Sequence, residues 1–153
     1  LRATLHSDGG ARGNPGPAGI GAVLRDGSGR VIGEIAEAIG ETTNNVAEYK
    51  ALIRGLELAL ELDVTDVEIF LDSQLVVSQM KGEWKIKKQE LRPLALKANS
   101  LMNRFSSTSI KHVPRELNAD ADALANQAMD AAALDRALDS ESRRGAEQNP
   151  LFE

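Results

Sequence analysis

The order in which hydrophobic periods follow one another constrains this chain's fold more than any other feature. "RATLHSD" (about 2–8), "GIGAVLRD" and "RVIGEIAEAI" are short apolar segments with strand character, and no helical period interrupts them. "DGSG" at 26–29 joins the second to the third and predicts a hairpin. From residue 44 the period changes. "NNVAEYKALIRGLELALEL" sets Tyr49, Leu52, Ile53, Leu56, Ala59 and Leu60 on one helical face. "DVEIFLD" is a fourth strand. A short helix follows at about 74–80, then a longer one from about 89 to 104 that must start or bend at Pro93. "TSIKHV" is a fifth strand and "NADADALANQAMDAAALDRAL" a final helix.

The order β-β-β-α-β-α-α-β-α predicts an α/β fold. Three consecutive strands form an antiparallel meander, and strands four and five, each reached through helix, extend it in parallel. Helices cover both faces. The 153 residues suit one domain, taken as residues 1–139. Residues 140–153 lack periodicity and read as a tail, disordered or docked through Leu151 and Phe152.

No apolar run approaches the ~20 residues of a membrane span, so no membrane association is expected. No basic region followed by an apolar block marks a secretory signal. The absence of cysteine excludes disulfides and thiolate zinc sites and fits a reducing compartment. A cytoplasmic monomer is the expectation. The net charge of −5 argues against default nucleic-acid binding, yet the charge is unevenly spread. Lys81 to Lys97 holds six basic residues against Glu83 and Glu90. From Asp130 onward six acids face Arg136, Arg143 and Arg144.

Four carboxylates fall at the ends of elements: Asp8 after strand one, Glu48 in the first turn of the first helix, Asp72 after strand four, Asp122 early in the last helix. Parallel neighbours one and four would set Asp8 beside Asp72 at their carboxyl ends, where open α/β sheets take ligands. Like charges cluster at a cost unless a cation sits among them, and oxygen ligands suit Mg²⁺ or Mn²⁺. Each acid has a plainer reading. Asp8 with Gly9-Gly10 can form a turn. Asn45-x-x-Glu48 matches a capping box with Asn45 as N-cap. Asp72-Ser73 can cap a helix, and Asp120 and Asp122 complement a helix dipole.

Four blocks together raise the functional reading: "SDGGARGNPGPAGIGAVL", "TTNNVAEYKAL", "IFLDSQLVVSQM" and "HVPRELNADADALANQAMD". In order and spacing they resemble the motifs of ribonuclease H, type 1, over about residues 3 to 130. The resemblance implies the ribonuclease H-like fold, a five-stranded mixed sheet with strands one to three antiparallel and four and five parallel to one. It implies an endonuclease that cleaves the RNA strand of RNA–DNA hybrids through two Mg²⁺ ions per site with substrate bound, Mn²⁺ substituting. The ends implied are 5′-phosphate and 3′-hydroxyl, with little sequence preference. The metal-binding acids map onto Asp8, Glu48, Asp72 and Asp122. Asp122 is preferred to Asp120 on the pattern N-x-x-A-D-x-L-A from Asn118 to Ala125, and Asp122 borders the apolar stripe Ala121, Leu124, Ala125 and Ala128.

The family also uses a mobile basic group near the last acid. Arg115, in "VPRELN", and His112, at the end of strand five, both stand as candidates. Hybrid recognition is implied for Gly9 and Gly10, where the missing side chains let the RNA backbone reach Asp8. Asn14, Asn44, Asn45 and Gln74 match amide contacts, and Asn14 with Thr43 matches a grip on a DNA phosphate. Some members carry Arg shortly before the Thr-Thr pair; Gly40-Glu41 stands here. Trp84 with Lys85, Lys87 and Lys88 falls where some members have a longer basic protrusion, and it can track the DNA strand or pack on a neighbouring helix. Two other readings remain: a same-fold nuclease of broader substrates, such as double-stranded RNA or a reverse-transcriptase ribonuclease H domain, and a non-catalytic hybrid-binding module.

Overall fold

The computed structural model describes residues 1–148 and forms one five-stranded sheet. Its strands are β1 (Arg2–Ala11), β2 (Gly16–Asp26), β3 (Val31–Thr42), β4 (Asp66–Leu71) and β5 (Ser107–His112), in the order β3-β2-β1-β4-β5. β2 lies antiparallel to β1 and β3. β4 lies parallel to β1, and β5 to β4. The helices are α1 (Asn44–Glu61), α2 (Gln74–Met80), α3 (Arg92–Met102) and α4 (Ala119–Gln148). The predicted mixed sheet is therefore present, with the 26–29 turn closed by Asp26, whose Oδ1 accepts from Ser28 and Arg30 backbone N–H groups. Among the described residues no helix is long and apolar enough to cross a membrane.

The two faces of the sheet are built differently. Beneath α1 and α3 lies a core of large side chains. Leu5, Ile20, Leu24, Ile69 and Leu71 meet Tyr49, Leu52, Leu56 and Leu101, all buried. Each such burial contributes about 1.5–3 kcal/mol before entropy is charged against it. The other face is nearly flat. Ala121, Ala125 and Ala128 of α4 rest on the backbone of β2, where an added Cβ on Gly21 would lie 2.3 Å from the Ala121 carbonyl oxygen. Only glycine permits that approach, and the approach brings the first turn of α4 down to the level of β1.

Several boundaries differ from the sequence expectation. β1 does not end at Asp8: Gly9, Gly10 and Ala11 stay paired with Ile20, Gly19 and Ala18 of β2. The Gly9-Gly10 turn is thus a strand, and the reversal comes later, beyond Arg12. The N-cap of α1 is Thr43, whose extended backbone lets Oγ1 accept the Val46 N–H at 3.3 Å. Asn45 lies inside the helix, so the Asn45–Glu48 capping box does not form. The expected helix over 89–104 divides into a 3-10 turn, Gln89–Leu91, and α3, with Pro93 in the first turn where its missing N–H costs nothing. α4 runs to Gln148, ten residues past Leu138, through "SESRRGAEQ", where Glu141, Arg143, Arg144, Ala146 and Glu147 favour helix against Gly145 and no proline comes before Pro150. Residues 140–148 are therefore helical and continue α4. The docking expected of Leu151 and Phe152 lies outside the described residues.

Candidate active site

β4 stops where β1 does not. Ser7 pairs with Leu71, the last residue of β4, so Asp8 and Asp72 stand side by side at the edge of the parallel ladder. Ser73, rather than Asp72, caps α2 by accepting the Val76 N–H at 3.2 Å, and this leaves the Asp72 carboxylate to the site. Glu48 arrives from the other direction. A Cβ on Gly9 would lie 2.3 Å from the Ala47 carbonyl oxygen, so α1 comes onto β1 at near contact distance, and Glu48 follows one residue later. Asp8, Glu48 and Asp72 each offer an oxygen, all within 4.8 Å of one another.

Three carboxylates so close repel. Burial first, then the Asp72 charge, pushes the Asp8 carboxyl up to about 7. Burial, then the Asp8 charge, raises Glu48 well above the usual carboxylate range. Glu48 Oε2 is buried without any hydrogen-bond partner. A buried carboxyl oxygen without a partner, facing two further carboxyl groups, fits a hard divalent cation with oxygen ligands. Magnesium or manganese meets that donor set; zinc, which prefers nitrogen and sulfur, does so poorly.

Asp122 joins from α4 and lines the same cleft of about 410 Å³. Its Oδ1 accepts from Arg115 Nη2 at 3.1 Å, and its Oδ2 accepts from Asn126 Nδ2 at 3.2 Å. Asp120 turns away to an ion pair with Arg25 of β2, a partner beyond plain dipole compensation. The start of α4 is pinned by the buried Asn118, whose Nδ2 donates to the Ser7 carbonyl at 2.9 Å, one residue before Asp8. Of the two auxiliary candidates, Arg115 lines the cleft and bonds Asp122. His112 lies exposed at the end of β5, opposite Leu71, and is not among the cleft-lining residues.

The residues assigned to substrate divide into two groups. Gly10 lines the cleft. Gly9 does too, yet its missing side chain is filled by α1, so it serves the approach of Glu48 before it serves a ligand. Asn14, Thr43 and Asn44 meet at the start of α1. Asn14 Oδ1 accepts the Asn44 N–H at 3.1 Å, and Asn44 Oδ1 accepts the Ala11 N–H at 2.8 Å. Gln74, in the first turn of α2, donates to Ser78 Oγ. The second group lies apart, along a groove from Asn45 past Leu75 to Trp84, Lys85, Lys87 and Lys88. Trp84 is half exposed. One side of it borders that groove and the other an apolar hollow with Met80 and Leu96. Sequence reasoning missed Arg12 and Asn126, both lining the cleft. Their spacing after Asp8 and Asp122, four residues in each case, was the available signal.

A family model described as reverse transcriptase-like matches residues 6–128. A bifunctional protein of Mycobacterium tuberculosis is 48% identical over 143 residues, which is 92% of this chain but 39% of the relative. The chain thus spans about two fifths of that relative's length. The crystal structure of RNase H1 from the archaeon Halobacterium salinarum superposes with a TM-score of 0.84 at 46% identity, covering 86% of this chain and 100% of that one. LC11-RNase H1, isolated from compost by a metagenomic approach and solved in complex with an RNA/DNA hybrid, gives a TM-score of 0.80 at 46% identity, covering 86% and 99%.

Proposed function

The chain belongs to the type 1 ribonuclease H family, and from that premise we propose that it is an endonuclease that hydrolyses the RNA strand of RNA–DNA hybrids. One observation carries the reading. Asp8, Glu48 and Asp72 offer oxygens within 4.8 Å of one another on the floor of an open cleft, where a bound cation makes the proximity of three ionised carboxylates favourable. A binding module gains nothing from such a cluster. The hybrid held by LC11-RNase H1, a relative 46% identical, supports the substrate class.

Asp8, Glu48 and Asp72, with Asp122 beside them, would hold two magnesium or manganese ions. When bound, these supply the charge that activates water and stabilises the leaving oxygen in phosphodiester hydrolysis. The chain's own contribution is placement. Asp8, central in the sheet and close to each of the other three acids, would be a ligand common to the group. Glu48 is delivered by the close packing of α1 and Asp122 by that of α4. Arg115, exposed and hydrogen-bonded to Asp122, sets a cation at the cleft's rim, suited to a departing phosphate or to proton transfer beside it. The products are 5′-phosphate and 3′-hydroxyl ends.

The groove from Asn45 to Lys88 would take the DNA strand through its phosphates, and Trp84 would stack or cover sugar edges. Contacts to backbone position a duplex without reading bases, so cleavage is largely sequence-independent. Titrating Mg²⁺ and Mn²⁺ against a labelled hybrid, with duplex RNA and duplex DNA as controls, tests the reading. Metal-dependent cutting of the hybrid's RNA strand alone is expected. Cutting of duplex RNA at a comparable rate would establish a broader nuclease, and tight hybrid binding without cutting would leave a binding module.

A further inference from the structure

Two cations line the catalytic cleft, and only one has been given a role. Arg115 sits on Asp122. The other, Arg12, follows the last residue of β1, where its N–H donates to the Pro17 carbonyl at 2.8 Å and closes the glycine-rich reversal. Its Nη2 contacts Asp130 Oδ1 at 2.7 Å and Asn126 Oδ1 at 3.2 Å. Asn126 in turn donates Nδ2 to both the backbone oxygen and Oδ2 of Asp122, at 3.0 and 3.2 Å. One amide therefore faces a carboxylate with its donor and a guanidinium with its acceptor. Neither Asp nor Lys at 126 could do both.

Both contacts of Arg12 use the same nitrogen. Among the described residues Nε and Nη1 make no hydrogen bond, and the side chain is 47% exposed. A guanidinium anchored through Nη2 beside a cleft keeps N–H groups on Nε and Nη1 with which to meet an anion singly. The cleft is built to receive a polyanion over four carboxylates, and positive charge at its end lowers the cost of that approach.

We propose that Arg12 binds a backbone phosphate of the cleaved strand, with Asn126 as the positioning residue that ties this contact to Asp122, and with Asp130 as a competing anion that weakens it. The inference rests on the hybrid-cleavage reading for its ligand. The alternative is a staple, in which Arg12 and Asp130 join the reversal to α4 and touch no ligand. The two accounts differ in sign. A staple loses the same thing from either end, so Arg12→Ala and Asp130→Ala act alike. A phosphate contact is lost with Arg12 but strengthened when Asp130 goes.

The test measures affinity for a labelled RNA–DNA hybrid by fluorescence anisotropy in magnesium, across a salt series. Asp8→Asn is present throughout so that the hybrid survives. Arg12→Ala is expected to weaken binding about tenfold and to reduce the slope of log affinity against log salt by about 0.9. Asp130→Ala is expected to leave affinity equal or raise it, with the slope kept. Arg12→Lys should recover only part, since an ammonium keeps the charge but cannot be anchored by Asn126 and Asp130 while it presents separate N–H groups to an anion. Thermal midpoints of all variants read the staple directly. Equal affinity of Arg12→Ala and its parent, or a parallel loss in Asp130→Ala, overturns the inference. Because affinity is read apart from turnover, a native chain that binds hybrid and does not cut it would sink the catalytic reading and leave the Arg12 outcome to stand on its own numbers.

Discussion

The Tyr49 hydroxyl donates to Gln79 Oε1 over 2.6 Å inside the core. Tyr49 follows Glu48 on α1, and Gln79 lies at the end of α2. From there Gln79 Nε2 reaches the Lys85 carbonyl at 3.4 Å, while the Ser78 carbonyl accepts N–H groups from Glu83 and Trp84. The basic segment is thus tied from beneath to the helix that delivers a candidate metal ligand. Burial pushes the Tyr49 phenol up to about 12, so it remains a donor throughout the working range.

Replacing Tyr49 with Phe removes that donor and leaves Gln79 Oε1 facing apolar surroundings. A loss of about 1–3 kcal/mol is expected. Thermal unfolding would register it as a fall of several degrees. A midpoint within one degree of the native chain would mean that Gln79 finds another partner.

The pH dependence of the metal-free protein follows from Asp8. Its carboxyl titrates near 7 in the fold against 3.8 ordinarily, so between those values the native state holds a proton that the unfolded chain has released. Stability should therefore fall as pH rises from about 4 to about 7, with Glu48 acting in the same direction. Asp8→Asn removes the charge and should stabilise the metal-free protein at pH 8 by up to a few kcal/mol while abolishing cleavage. Denaturant midpoints at pH 5 and pH 8 would check it. An Asp8→Asn chain less stable than native at pH 8 would contradict the cost ascribed to the buried Asp8 charge.

Gly9→Ala tests the packing beneath the site. The new Cβ would meet α1 backbone at 2.3 Å, and backbone cannot swing aside as a side chain can. A cost of about 1–3 kcal/mol is expected. Activity should fall further than stability alone explains, because Glu48 rides on the segment that must move. Gly10→Ala, where the added atom meets side chains alone, the Met129 thioether at 3.3–3.4 Å and Asn44 Oδ1 at 3.6 Å, should be much milder in stability. Comparable thermal midpoints in the two variants would show that α1 is not what Gly9 accommodates.

Much of this was legible in the chain. Apolar period set the order of strands and helices, and the parallel pairing of Ser7 with Leu71 followed from the helical crossover, which put Asp8 beside Asp72. What escaped depended on distances between separate elements. That Gly9 is filled by α1 and Gly21 by α4 requires knowing how close two backbones come. Thr43 rather than Asn45 caps α1 because Glu48 turns to the sheet instead of back to the helix end, and a capping-box pattern does not encode that choice. Asn126 looks like any polar helix residue until Arg12 arrives from 114 positions away.

Arg115 and His112 separate by kinetics. Arg115 reaches Asp122 at 3.1 Å from a short 3-10 turn, Arg115–Asn118, whose exposed position allows it to swing without disturbing the sheet. His112 is held in β5 by pairing with Leu71. If the auxiliary group acts beside the last acid, Arg115→Ala should lower kcat by about 10²-fold, in the range of a lost proton-transfer or charge-stabilising group, with KM little changed. His112→Ala should stay within about twofold of the native chain. Lysine at 115 should restore part of the rate, since it keeps the charge and loses the planar fork. Single-turnover cleavage under saturating enzyme would tell chemistry from product release: a defect seen in multiple turnover alone assigns Arg115 to release. A large loss in His112→Ala beside a silent Arg115→Ala would reverse the assignment.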